Sequence, residues 1–365
     1  MRVLFIYKYL TLGGVESVLR ARLKGLPTWG VEAYAWFLSD GPGRVLFRDL
    51  DERVWVGPPE GIGSSLQRVP FDLVISIDTD EAFPYMASLA PQTCLLLESH
   101  SPYKENIEYL RFLSGSNAAA ILVPSRHQAR LVEKRVAHRI PIRVIPNPMG
   151  ERFLDKPVHF PQPPPRPVVA WIGRQDHLKN WNAYLEILRT LTRMRCHVEG
   201  WMVGRGSGAG YELRLLRRAK RLHVLARLRW FSALPHEAMP HLFDAVRDSG
   251  GVVISTSRNE TFGLAIAEAM ARGCAVVVPD QGPFPEFVEH GSNGLRYRSG
   301  STAQAASMVA KFLRDEPFRA RCGARARDSI LQKHAPEYAL RLLAEELNSI
   351  AVPRDAFAGS ESSVG

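Results

Sequence analysis

The sequence predicts an α/β protein built from two doubly wound sheets. Short apolar runs alternate with longer amphipathic ones along most of the 365 residues, the pattern of parallel strands joined by crossover helices. Six prolines interrupt that alternation between Asp155 and Pro167. The same alternation then restarts, so the pattern occurs twice.

In the first half, strands are expected at Arg2–Tyr7, Glu32–Leu38, Leu73–Ile77, Thr93–Leu97, Ala119–Val123 and Arg143–Ile145. These runs are nearly continuous in apolar residues, as in a sheet covered on both faces. Helices are expected at Val15–Gly25, Glu105–Ser114 and Ser125–Val136. The apolar run before Lys8 is too short for a secretory signal and suits a first buried strand. Proline neither donates to a ladder nor continues a helix, so residues 155–167 read as a linker. Beyond it, strands are expected near Val168–Ile172, Cys196–Val203, Arg229–Phe231, Val252–Ser255 and Ala275–Val278. Helices follow near Trp181–Met194, Tyr211–His223, Phe262–Arg272, Ala303–Arg314 and Phe318–Lys333. A last helix, Pro336–Ile350, carries Leu340, Leu343, Leu347 and Ile350 on one stripe. The resulting division is 1–154, linker 155–167, 168–334, final helix 335–351, and a polar tail, 352–365, that reads as disordered.

Composition excludes several classes. Cys94, Cys196, Cys274 and Cys322 form no CxxC pair, which removes zinc ribbons and dithiol redox motifs and favours a reducing, cytoplasmic setting. No run of 18 apolar residues suits a bilayer-spanning helix. Lys and Arg outnumber Asp and Glu by 47 to 37, and the excess lies mostly in the second half. Residues 205–229 hold eight Lys and Arg against Glu212 alone. That stretch reads as a surface helix with a basic outer face, either simply solvated or attracted to an anionic membrane or phosphorylated acceptor. Nucleic acid is not expected, because no recognition motif accompanies it.

The most informative stretch runs from Ser255 to Gly273. A strand ends near Ser255, a loop carries Glu260, and a helix is expected to open near Phe262 and stop at Gly273. The amides of Thr261, Phe262, Gly263 and Leu264 would then be free to bind a phosphate. A carboxylate beside that anion site is suited to sugar hydroxyls, not to phosphate. Glu268 follows two turns into the helix.

This segment resembles the Glu-x7-Glu motif of the retaining glycosyltransferases of family 4, which have the GT-B fold of two Rossmann-like domains. Other segments agree in order. Gly13-Gly14-Val15-Glu16 follows the first strand, and Ile145-Pro146-Asn147-Pro148 closes the first half. Gly173-Arg174 and then Lys179-Asn180 follow the first strand after the linker. Pro279-Asp280-Gln281-Gly282, Glu286-Phe287-Val288 and Gly291–Gly294 lie downstream. The likeness covers essentially residues 1–350.

The resemblance implies transfer of a hexose-type sugar from a nucleoside diphosphate sugar, a UDP- or GDP-sugar, to an acceptor hydroxyl with retention. It implies an acceptor-side first domain, a donor-binding second domain, and a last helix that crosses back to the first. Glu260 would hold sugar hydroxyls and Glu268 the ribose. Arg174 and Lys179 would grip the diphosphate, beside Gly173. Gly14 would admit the diphosphate and acceptor to the N-terminal loop, and His100 would lie near the donor sugar. No cofactor or metal is expected: Asp78-Thr79-Asp80 follows a strand in the acceptor half and reads as an ordinary loop. The acceptor could be a glycan, a lipid-linked sugar or a small metabolite, with peripheral contact to an anionic membrane. Three departures bear on this. Thr261 stands where the family commonly has glycine, Asn147-Pro148 replaces Asn-Gly, and Arg205 stands where an aspartate is frequent.

A non-hydrolysing nucleotide-sugar epimerase shares this architecture and is the main alternative. An NAD-dependent oxidoreductase would need Gly-x-Gly-x-x-Gly straight after a strand, and the loop from Lys8 to Gly14 lacks it.

Overall fold

A computed structural model describes residues 1–86, 93–113, 118–136, 140–206 and 210–351. The chain divides into two compact units. The first is Met1–Gly150 with the final helix, and the second is Glu151–Ala335.

The first unit has seven strands: β1 (Arg2–Tyr9), β2 (Glu32–Ser39), β3 (Val54–Val56), β4 (Leu73–Ile77), β5 (Cys94–Glu98), β6 (Ala118–Val123) and β7 (Ile142–Val144). All pair in parallel, in the order β3-β2-β1-β4-β5-β6-β7. The order reverses between β1 and β4, and loops at such a switch point form a crevice at the carboxyl ends of the strands. One core layer lies between the sheet and two helices, Gly14–Gly25 and Pro336–Ala351. Phe5, Leu19 and Leu23 pack there with Leu340, Leu343 and Leu347. The last helix thus completes the first unit, although it follows the second in sequence. A Cβ at Gly25 would meet Leu340 Cδ1 at 2.2 Å, so the two helices touch backbone to side chain.

The second unit has six strands: β8 (Val168–Ile172), β9 (Glu199–Val203), β10 (Leu228–Phe231), β11 (Val252–Ile254), β12 (Ala275–Pro279) and β13 (Leu295–Tyr297). These are also parallel, ordered β10-β9-β8-β11-β12-β13. Here the switch falls between β8 and β11. The core packs Trp171, Tyr184, Leu188, Val252 and Phe312 between sheet and helices.

Several elements differ from expectation. The three-residue strands β3 and β13 and the helices Glu60–Arg68 and Met239–Asp248 were not anticipated; strands so short leave no periodic signal. Glu105–Phe112 is a 3-10 helix. The proline-rich connection is tied down, and the second unit begins at Glu151, before the linker. Prolines leave carbonyls and isolated amides without ladder partners, and side chains take them up. Asp244 accepts from the Val158 amide at 3.0 Å and Asp248 from that of Phe160 at 2.9 Å. Arg272 donates to the Asp155 carbonyl at 2.8 Å and Arg247 to that of Val158 at 2.8 Å. Arg272 is itself buried against Asp244, 2.5 Å away. The 352–365 tail lies outside the described residues.

Candidate functional site

The second unit's switch point is closed by two interlocked loops. The loop after β8 begins at Gly173 and ends at Asn180, which sits in the left-handed region at φ 53° and starts the helix Trp181–Arg193. Within it, Asp176 accepts from the Lys179 amide at 2.8 Å. The loop after β11 runs from Ser255 to Gly263. Thr256 Oγ1 lies within hydrogen-bond distance of the Lys179 and Asn180 carbonyls at 2.9 and 3.0 Å, and it accepts from Trp171 Nε1 at 2.9 Å. The Arg258 amide donates to the Leu178 carbonyl at 2.7 Å. The two loops therefore fix each other.

These contacts aim Lys179 at Glu260. Lys179 Nζ donates to Glu260 Oε1 at 2.5 Å, and Ser257 Oγ donates to the same oxygen at 2.8 Å. The side chains are 21% and 11% exposed, so the pair stands at the mouth of the site and not inside the core. Arg174 is 65% exposed and reaches Asp176 at 3.5 Å. It lies on the same loop as Lys179 but is turned outward.

The helix after this loop opens later than its sequence suggested. It spans Leu264–Ala271, and Gly263 precedes it at φ 89°. A Cβ there would also lie 2.8 Å from Phe284 Cε1, so both backbone and packing demand glycine. Phe262 is a packing residue, stacked on Phe287 with ring centres 5.5 Å apart. Thr261 is buried beside it. The amides at the start of the helix, Leu264 among them, have no intrahelical acceptor and carry the positive end of the helix dipole. Glu268 follows one turn later, half-buried, and no hydrogen bond or ion pair engages its carboxylate among the described residues. Burial pushes that carboxyl up to about 8. A group held in this way gains from any hydroxyl donor brought to it. At the end of β9, Gly204 has φ 122°, and a Cβ would meet the Gly173 carbonyl oxygen at 2.1 Å, so glycine also lets the β8 and β9 loops close.

The first unit has its own polar centre at its switch point. Glu16, almost fully buried, reaches back from the helix that Gly14 opens and accepts from the Thr11 amide at 2.6 Å and its hydroxyl at 2.5 Å. A Cβ at Gly13 would stand 2.6 Å from Glu16 Oε2, so the glycine makes room for that latch. After β5, His100 Nε2 is 2.7 Å from Glu98 Oε1, and its amide donates to Asp78 Oδ2 at 2.8 Å. Glu98 in turn accepts two 2.7 Å bonds from Arg22, whose guanidinium lies 5.4 Å from the Phe5 ring centre. Burial works to raise the Glu98 carboxyl, but Arg22 and His100 outweigh it and hold it well below the usual carboxylate range. Asp78, with no opposing arginine, is pushed by burial to about 6.

Asp78 lies in the loop after β4, as expected, but it does more than connect. Asp78 is buried, strained at φ 43°, and part of the support of His100. Arg22 and Glu98 were missed as well. A signal existed in the sequence. Arg22 interrupts the apolar face of Leu19, Leu23 and Leu26, and Glu98 ends the apolar run of β5. Two charges that replace expected core residues ask for each other.

Residues 155–329 match the family model of Glycosyl transferases group 1. The N-acetyl-alpha-D-glucosaminyl L-malate synthase of Bacillus anthracis is 33% identical over 86 residues, which are 24% of this chain and 23% of that one. The D-inositol 3-phosphate glycosyltransferase of Nocardia farcinica is 31% identical over 169 residues, 45% of this chain and 36% of its own. The sucrose synthase of Acidithiobacillus caldus is 27% identical over 198 residues, 51% of this chain and 25% of that enzyme. The chain thus spans well under half of these relatives. Among solved structures, Anabaena HepE in complex with UDP-glucose superposes with a TM-score of 0.82 at 21% identity, covering 96% of this chain and all of that one. The Staphylococcus aureus TarM mutant in complex with UDP reaches 0.76 at 13% identity, covering 95% of this chain and 99% of that one. The architecture these share is the two-domain GT-B fold. Among the described residues, no helix is long and apolar enough to cross a membrane.

Proposed function

We propose, from the match of residues 155–329 to the group 1 glycosyl transferases, that the protein transfers a hexose from a nucleoside diphosphate sugar to an acceptor hydroxyl, with retention and without a metal. The observation that carries the reading is the Lys179–Glu260 pair, held by two interlocked loops beside the left-handed glycine that opens a helix. A diphosphate at that helix start meets backbone donors, the helix dipole and a lysine within reach. The anion competes with Glu260 for the Lys179 ammonium. Release of Glu260 frees its carboxylate to accept from sugar hydroxyls. Arg174, exposed on the same loop beside Asp176, would turn onto the diphosphate as a planar donor. Charge that develops on the leaving phosphate is then met by groups already in place. Glu268, half-buried and with no donor to its carboxylate among the described residues, is assigned to the ribose hydroxyls.

His100 and Gly14 belong to the first unit and are assigned to the donor sugar and to the approach of the diphosphate and acceptor. A uridine diphosphate hexose is the first donor to test, because Anabaena HepE was solved with UDP-glucose. The acceptors named by the relatives, an inositol phosphate and a malate among them, point to a small polyhydroxylated or hydroxy-acid acceptor alongside glycans and lipid-linked sugars.

The test is a nucleotide-sugar panel read by thermal stabilisation and by acceptor-dependent release of nucleoside diphosphate. NMR of the product reports its anomeric configuration. A stabilising donor whose sugar appears on the acceptor with inverted configuration would remove the retaining assignment. Release of nucleotide that needs no acceptor, together with an epimerised sugar, would favour the epimerase. Loss of all activity in EDTA, restored only by magnesium or manganese, would remove the metal-independent assignment.

A further inference from the structure

We propose that the helix Tyr211–Arg221, with the turn that follows it, is a docking surface for an anionic lipid bilayer. The helix sets Tyr211, Leu215 and Ala219 inward. At 100° per residue this places Leu213, Arg217 and Lys220 on one outward line, with Leu216 beside it. Leu213 is 49% exposed, Leu216 40%, and Leu225, just past the helix, 40%. Single exposed leucines are ordinary on a protein surface, but three within one short stretch, ringed by cations, form a patch.

The charges are equally one-sided. Arg214, Arg217, Lys220 and Arg221 are exposed, and Glu212 is the sole acid of the helix. Arg218 is neutralised by Glu186 at 2.6 Å, and the Arg214 guanidinium lies 5.3 Å from the centre of the Tyr211 ring. No hydrogen bond or ion pair engages the side chains of Arg217, Lys220 or Arg221 among the described residues. A basic face kept only for solubility has no use for leucines at its centre. Nucleic acid would use the cations, but single strands also want outward aromatic platforms, and the one aromatic of this helix faces inward. A bilayer uses both features. Leucines enter the boundary between headgroups and acyl chains, while long Arg and Lys side chains reach up to lipid phosphates. The inference is independent of the glycosyl-transfer reading, since neither Lys179 nor Glu260 takes part.

The test is co-sedimentation of the full chain with phosphatidylcholine vesicles, with and without phosphatidylglycerol, at physiological salt. Binding is expected to the anionic vesicles alone. Arg217→Glu with Lys220→Glu should weaken it at least about tenfold. Leu213→Ser with Leu216→Ser should weaken it about tenfold and leave a residual binding that salt abolishes. All four positions are exposed, and thermal unfolding of each variant checks that the fold is intact. Equal binding to neutral vesicles, no binding to either, or unchanged binding by both variants would overturn the proposal. Two other results would also overturn it: displacement of the vesicles by a short DNA duplex with no effect of the leucine changes, and a solution dimer lost on the leucine changes without vesicle binding.

Discussion

In the first unit, Arg22 and Glu98 meet through two 2.7 Å hydrogen bonds with side chains 0% and 2% exposed. In the second, Lys179 and Glu260 meet through one bond of 2.5 Å with side chains 21% and 11% exposed. Both pairs sit at the carboxyl ends of strands in similar sheets. The buried pair has given up water on both sides, so neither partner can leave without stranding a charge. The half-open pair keeps a route to solvent, and an incoming anion can take the lysine while water or hydroxyls receive the carboxylate. Guanidinium suits the first task because its fork binds both carboxylate oxygens at once, and ammonium suits the second because a single flexible point charge can change partners. One pair is locked by burial, and the other, on the proposed function, would exchange its partner.

The comparison can be broken most severely through the final helix. Replacing Leu340, Leu343 and Leu347 together by alanine should cost the first unit about 6 kcal/mol or more, since each buried leucine is worth roughly 2–5 kcal/mol. The transition of the second unit should not move. Calorimetry that resolves the two units measures this, and a shift of both by the same amount would show that the helix does not belong to the first alone.

Arg22→Met comes next, with an expected loss of about 3–5 kcal/mol from a stranded buried carboxylate. Adding Glu98→Leu should recover much of that loss. Glu98 also sets a pH signature. Its folded carboxyl lies below the ordinary value, so its stabilisation is present above about pH 4.3 and fades as pH falls further. Urea midpoints measured downward from neutral pH should therefore fall less steeply in the double variant than in the unaltered protein.

Lys179→Ala and Arg174→Ala should each lower turnover by roughly 10² to 10³, the loss of one charge-stabilising donor, while unfolding free energy stays within about 1 kcal/mol because both sites are partly solvated. If either variant lost stability and kept its rate, its loop would be structural and the contrast with Arg22 would disappear.

The smallest effect concerns Glu268. Its folded carboxyl is pushed up to about 8, so the folded state holds a proton that the unfolded state has released, and stability falls as pH rises from about 4.3 to 8. Glu268→Gln should escape that fall, gaining about 1 kcal/mol on the unaltered protein by pH 8, a figure discounted because the side chain reaches solvent. The same variant should bind nucleoside diphosphate more weakly. A pH profile parallel to that of the unaltered protein would sharpen the comparison differently, by showing that Glu268 is well solvated.

Much of this was legible without coordinates. Glu260 and Lys179 were singled out on separate loops, and the parallel order of β8 and β11 brings them together. Arg174 was grouped with Lys179 by the family resemblance; its side chain is 65% exposed and reaches Asp176, a direction that a motif along a loop does not carry. Phe262 was singled out for its amide; its ring packs on Phe287, and the left-handed turn at Gly263 delays the helix to Leu264, neither of which its position in the motif announces. His100 was noticed without its support: Glu98 stands two residues before it, but Asp78 and, through Glu98, Arg22 join it from distant segments.

By itself the sequence determined the alternation of strand and helix, the break at the prolines, the restart, and the motif residues that name the chemistry, because each is written in local periodicity or in adjacent residue types. Tertiary structure decided which sheet the last helix completes, where the linker is tied down, and which charges pair. These depend on strand order and on the burial of groups more than seventy residues apart, such as Arg22 with Glu98 and Lys179 with Glu260. Desolvation, complete at the first of those pairs and partial at the second, exists only once the surrounding chain has closed over them.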